Sequence, residues 1–191
     1  MTHVGPDQGG TSLAAEAEGT AGPAGSSPLY ARRLDSFRGK AFEEQVRELA
    51  DREEIRDLIA TYAHRMAHGQ AAADLFTDDG AYINRGTPDL PPREIRGRAA
   101  LDEYYCDRTG WAQRPLPMIH NHLISIQGDE ATGICSVEIR LAADGTSIVA
   151  SGYYKDRFRR EGGRWKFVER DAGFFHWVPL QQGWAKAPAN Q

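Results

Sequence analysis

Four long stretches, Pro117–Gln127, Ala131–Ala142, Ser147–Arg160 and Arg164–Val178, run through the C-terminal part of the chain, rich in the apolar and β-branched residues of strands. They are separated by Gly128-Asp129, Ala143-Asp144-Gly145 and Glu161-Gly162-Gly163, residue types that supply the positive φ of short hairpin turns. Long strands joined by tight turns make a strongly curved antiparallel sheet. Such a sheet buries one face, so something earlier in the chain must cover it.

The cover is legible upstream. Leu49, Ile55, Leu58, Ile59, Tyr62, Ala63 and Met66 recur at three- and four-residue steps, one stripe of an amphipathic helix. Phe42 and Val46 extend the pattern back to about Ala41, and Gly69 stands where a left-handed residue would close it. Asp51 and Glu54 have the spacing of a capping box, which predicts a break between the two apolar runs. Residues 71–76 suggest a short second helix, Asp78-Asp79-Gly80 a turn, and 81–85 and 93–96 short strands. Residues 97–107 read as a helix with Ala99, Ala100, Leu101, Tyr104 and Tyr105 inward. Helices followed by strands give an α+β domain over 41–180. Residues 1–28, Gly-, Ala- and Ser-rich without periodicity, read as a disordered tail, 29–40 as a lead-in and 181–191 as a C-terminal tail.

With 191 residues, a net charge of −4 and a pI of about 5.9, the composition offers no electrostatic reason to expect nucleic acid or an anionic membrane. No apolar run approaches the roughly 18 residues of a membrane span, and no secretory signal pattern is present. Cys106 and Cys135 lack motif spacing and read as reduced thiols, consistent with a cytoplasmic protein. Arg157, Arg159 and Arg160 read as a solvated strand end.

The run REEIRDLIATYAHRM, then LFTDDGAYI, then IRGRAALDEYY, a His opening a long strand, and finally YYKDRFRREGGRWKFVERDAGF resembles the SnoaL-like branch of the nuclear transport factor 2-like superfamily over about residues 42–178. The resemblance implies a cone-shaped α+β barrel with a deep apolar pocket. It implies enzymes such as scytalone dehydratase, bile acid 7α-dehydratase, hexachlorocyclohexane dehydrochlorinase, ketosteroid isomerase and polyketide cyclases, which need no cofactor. It also implies a homo-oligomer, dimer or trimer. The dehydratase and dehydrochlorinase members pair a helix Asp with a strand His. The His aligns with His120 and the Asp with Ala67, while pocket positions fall on Tyr62 and Tyr154.

These residues suit proton transfer. A neutral imidazole takes protons near pH 7, and a phenol can donate to a leaving hydroxyl or an enolate oxygen. The expected function is therefore a lyase, isomerase or cyclase acting on a hydrophobic oxygenated ring compound, with His120, Tyr62 and Tyr154 catalytic. Each residue also has a plain structural reading, His120 as a buried His bonded to a carbonyl and the tyrosines as core. His122, two residues on, shares the face of His120 in a regular strand, and a bulge would turn it away. Tyr82, Trp111, Met118 and Phe174 are candidates for the pocket wall, and Asp171 is a substitute carboxylate if it faces inward. His64 and His68 have an i, i+4 metal spacing, to which His120 or His122 could add a ligand, but no metal is expected. The alternative class is a non-catalytic ligand-binding or assembly subunit, a role the same cone also serves and one that tolerates the missing Asp.

Overall fold

The computed structural model describes residues 37–87, 91–109 and 114–183. The expected tail, most of the lead-in, Trp111 and residues 184–191 lie outside the described residues. A single helix α1, Phe42–His68, is followed by a 3₁₀ turn at Ala73–Leu75, β1 at Phe76–Asn84, β2 at Arg93–Arg96 and α2 at Arg98–Tyr104. Four strands complete it: β3 at Leu116–Gln127, β4 at Glu130–Ala143, β5 at Thr146–Glu161 and β6 at Arg164–Pro179. They form one six-stranded sheet in the order β2-β1-β6-β5-β4-β3. The sheet is mixed, because β1 returns to pair parallel with β6 while every other pair is antiparallel. The β4–β5 and β5–β6 loops carry positive φ at both central residues, Asp144 with Gly145 and Gly162 with Gly163, the geometry of tight twisted hairpins.

The expected break at Asp51 does not occur. Asp51 and Glu54 instead hold the β5–β6 hairpin: Arg160 pairs with Asp51, and the Trp165 N–H donates to Glu54 Oε1 at 3.0 Å. The helix begins instead at Phe42, with Glu44 Oε2 accepting the Ala41 N–H, and ends at Gly69 with φ 70°. Buried Arg52 clamps α1 to the sheet by pairing with Glu48 and donating to the Ile124 carbonyl. Because strand β1 already begins at Phe76, Asp78-Asp79-Gly80 lies within it at an irregularity, not in a separate turn. The short second helix contracts to the 3₁₀ turn, and α2 leaves Ala99 exposed. Arg98 fastens α2 by donating to the carbonyls of Ala73 and Phe76.

Two bulges govern which side chains enter the core. In β3 the register shifts between His120 and Leu123, with Asn121 at φ 59°. Pro117 and Ile119 pair with inward Ile139 and Val137, and beyond the bulge Ile124 and Ile126 pair with inward Gly133 and Ala131. In β6 a shift falls opposite Arg157 and Phe158, so that Val168 is the extra residue. Phe167 and Arg170 are therefore both fully buried on the inner face, three residues apart instead of two.

Candidate functional site

The inner face carries a cavity of about 220 Å³ between the C-terminal end of α1, the segment after α2 and strands β1, β4, β5 and β6. Tyr62, Tyr82, Tyr104, Tyr105 and Tyr154 line it, with Phe174 and Trp177 closing one side and Asn84 and Gln70 adding amides. Tyr62 and Tyr105 join their hydroxyls at 3.2 Å. Burial pushes the Tyr62, Tyr82, Tyr105 and Tyr154 phenols above their ordinary pKa, so all are neutral donors across the physiological range.

Behind Tyr62 and Tyr154 lies a fully buried ion pair. Arg170 donates through Nε and Nη2 to the Asp156 carboxylate at 3.0 and 2.9 Å, and its guanidinium carbon sits 4.2 Å from the ring centres of both Tyr62 and Tyr154. Burial opposes the guanidinium charge, but Asp156 outweighs it and holds Arg170 firmly protonated. Arg170 in turn draws the Tyr62 and Tyr154 phenols downward against the effect of burial. The nearby Cys135 thiol is buried and pushed up to about 12, which removes it as a nucleophile.

Tyr62, Tyr82, Tyr154 and Phe174, all expected in the pocket, meet in this cavity. Tyr153 faces the other way, packed on Gly173 and Phe175. The other expected residues that the structure describes do not join them. His120 pairs with Ser136 on the outer face and is exposed, because the bulge after it reverses the alternation, and Met118 lies opposite exposed Glu138 on that same face. The bulge gives the inward place to His122, half-buried under α1, where burial and then the nearby Arg170 and Arg56 lower its pKa. Asp171 is turned outward by the β6 bulge and is bound by both Nε and Nη2 of Arg85. Neither His120, His122, Asp171 nor Ala67 lines the cavity. His64 and His68 stack at 6.4 Å on the exposed side of α1, and no group of three potential metal ligands occurs among the described residues.

Sequence reasoning misses Arg170, Asp156, Tyr104 and Tyr105 as site residues. Asp156 does leave a signal, an acid between Tyr154 and Phe158 on a strand face that is otherwise apolar. A charge there requires a buried partner.

The phenols also set an alkaline limit. Their pKa values in the folded state lie above the ordinary 10.0, so they contribute stability that is fully present below pH 10 and lost as pH rises through the folded values. The urea midpoint is expected to hold level toward pH 10 and then fall, with delayed phenolate absorbance at 295 nm. Ionisation of every tyrosine near pH 10 in the folded protein would contradict this burial.

A helix laid on a curved mixed sheet, with a phenol-lined cavity at its open end, defines a small α+β pocket protein. The profile of the SnoaL-like domain family matches residues 47–171, and the chain belongs to that family, with an NTF2-like fold. No curated protein matches the chain. Among solved structures it is similar to a single-substitution variant of Rv3472 from Mycobacterium tuberculosis, a protein of unknown function, at 29% identity over 72% of this chain and 77% of that one, with a TM-score of 0.57. It is similar to an NTF2-like protein with a cystatin-like fold from Novosphingobium aromaticivorans, at 26% identity over 76% and 91%, TM-score 0.52. The hexachlorocyclohexane dehydrochlorinase LinA-type3 of Novosphingobium barchaimii LL02 shares the fold at 19% identity over 71% and 94%, TM-score 0.56. No helix among the described residues is long and apolar enough to cross a membrane.

Proposed function

We propose that the cavity binds a compact, largely apolar ring compound through a carbonyl, enol or phenol oxygen, which accepts hydrogen bonds from the neutral phenols at its floor. One observation carries this reading: five tyrosines converge on one cavity whose described lining contains neither His nor carboxylate. A site made of donors recognises an acceptor, most strongly an oxyanion. The volume of about 220 Å³ lies below the roughly 300–1,000 Å³ of pockets for drug-sized ligands, which favours a single ring.

A hydrogen bond to a charged acceptor contributes roughly 1.5–3 kcal/mol. Tyr62→Phe and Tyr154→Phe are each expected to weaken calorimetric binding of an acidic ring phenol, offered as its phenolate, by about tenfold or more. Unchanged affinity in both variants would remove the basis of the proposal.

A second reading, cofactor-independent elimination or isomerisation, is favoured by the seat of Arg170 against Tyr62 and Tyr154. A guanidinium in contact with both rings makes these phenols better acids, suited to stabilising an enolate or protonating a departing hydroxyl. The dehydrochlorinase similar in fold is named for an elimination. Turnover of a ring β-hydroxyketone to its enone, followed by ultraviolet absorbance, separates the two readings: tight binding without turnover supports carriage alone, and turnover lost in Tyr154→Phe supports catalysis.

A further inference from the structure

We propose that the ligand of this cavity is a ring carboxylate, its ring oxygen held by the tyrosines and its carboxylate received at the mouth by Arg108 and Arg114. The inference deepens the pocket reading and rests on it.

The charge is local. The chain as a whole carries −4, yet the described residues lining the cavity include two arginines and no Asp or Glu. Deep in the fold the positive charge of Arg170 is matched by Asp156, so the cationic character of the lining belongs to the mouth. Arg93 adds to it from the neighbouring strand, its guanidinium carbon 5.8 Å from the Tyr104 ring centre. An apolar-walled opening with cations at its rim concentrates field lines and draws in anions.

The end of α1 holds the main chain of one arginine and the side chain of the other. The Arg108 backbone N–H donates to the Gly69 carbonyl at 2.6 Å, and Arg114 Nη1 donates to the His68 carbonyl at 3.1 Å. Gly69 permits both approaches: at φ 70°, a Cβ there would stand 2.6 Å from the Arg108 carbonyl oxygen and 2.9 Å from Arg114 Cδ. A guanidinium has five N–H donors in a planar fork. The bond from Arg114 to His68 uses one edge of that fork and leaves the planar, two-point geometry that a carboxylate matches. Arg108 lines the same cavity as Tyr104, beside the space the ligand would fill. A single ring with an oxygen at one end and a carboxylate at the other answers both halves of the site.

The test compares 4-hydroxybenzoate with 4-hydroxybenzamide, an uncharged compound of the same shape, by calorimetry on the full chain at low salt. The 3-hydroxy isomers are run beside them, so that ring geometry is not mistaken for charge. We expect the carboxylate to bind at least about tenfold more tightly than its amide, with the advantage shrinking in 0.5 M salt as exposed pairs are screened. Arg108→Gln and Arg114→Gln should each remove most of that advantage, and the Lys variants should restore part of it. Equal affinity for acid and amide, with Tyr62→Phe still weakening the amide, would overturn the carboxylate assignment and leave the pocket reading standing. Binding of neither class, in any isomer, would overturn the pocket reading and this inference together.

Discussion

Asp156→Ala is expected to destabilise the fold by about 3–5 kcal/mol, the usual cost of stranding one member of a buried ion pair. Both side chains are essentially inaccessible, at 0% for Arg170 and 1% for Asp156. Arg170 does not lose its proton to relieve the loss, because a guanidinium stays charged in proteins. It is enclosed by the rings of Tyr62, Tyr154 and Phe167 at 4.2, 4.2 and 4.3 Å, which offer their faces but no acceptor, and its Nη1 makes no hydrogen bond. Removing the carboxylate therefore leaves a whole charge in an aromatic cage. The apolar double variant Asp156→Leu with Arg170→Met removes both charges and is expected to recover most of the loss. Urea midpoints of the two single variants and the double variant close the cycle. A cost under about 1 kcal/mol for Asp156→Ala would mean that water reaches the pair. The double variant should also bind ring phenolates less tightly, because the pull that Arg170 exerts on Tyr62 and Tyr154 is gone.

Phe167→Ala should lose about 3–5 kcal/mol, the range for deleting a fully buried aromatic side chain. Phe167 is at the centre of the inner face, with ring centres 5.1 Å from Phe76, 5.3 Å from Phe158 and 5.9 Å from Tyr62. The cavity left behind opens on three rings and on Arg170, none of which can collapse into it without breaking its other packing. For a domain of this size the loss corresponds to a fall in Tm of about 6–20 °C. Phe167→Leu, which keeps most of the volume, should cost about 1.5 kcal/mol or less. Similar melting of the Ala and Leu variants would show that this layer is looser than its packing indicates.

Much of the architecture could be read without coordinates, for reasons that are local. Turn residues such as Asp144-Gly145 and Gly162-Gly163 act through their own backbone preferences. The stripe Ile55, Ile59 and Tyr62 buries as helical periodicity predicts, whereas Leu49, Val46 and Phe42, expected to continue it, stay exposed at the N-terminal end of α1. The misjudged segments are those where a distant partner decided the outcome. Asp51 and Glu54 have capping spacing, but the hairpin beginning at Arg160 and Trp165 claims their carboxylates, so α1 runs on unbroken. Asp78-Asp79-Gly80 has turn composition, yet the strand it belongs to is already registered on β6 at Phe76.

The site depended on those distant partners more than the fold did. Alternation along a regular strand carries Phe167 inward and Asp171 with it, and cannot tell that Val168 bulges and admits Arg170 instead. In the same way, one left-handed Asn121 sends His120 to the outer face and His122 to the inner. The amino-acid sequence by itself determined the hairpins, the family and the helix stripe from Ile55 to Tyr62, since each follows from short-range periodicity, turn chemistry or the order of motifs along the chain. Only the tertiary structure decided that the cavity holds phenols in place of a histidine and acid, and that a buried arginine stands behind them. A bulge is a one-residue shift set by pairing with the next strand, and a shift of one residue exchanges the two faces of everything beyond it.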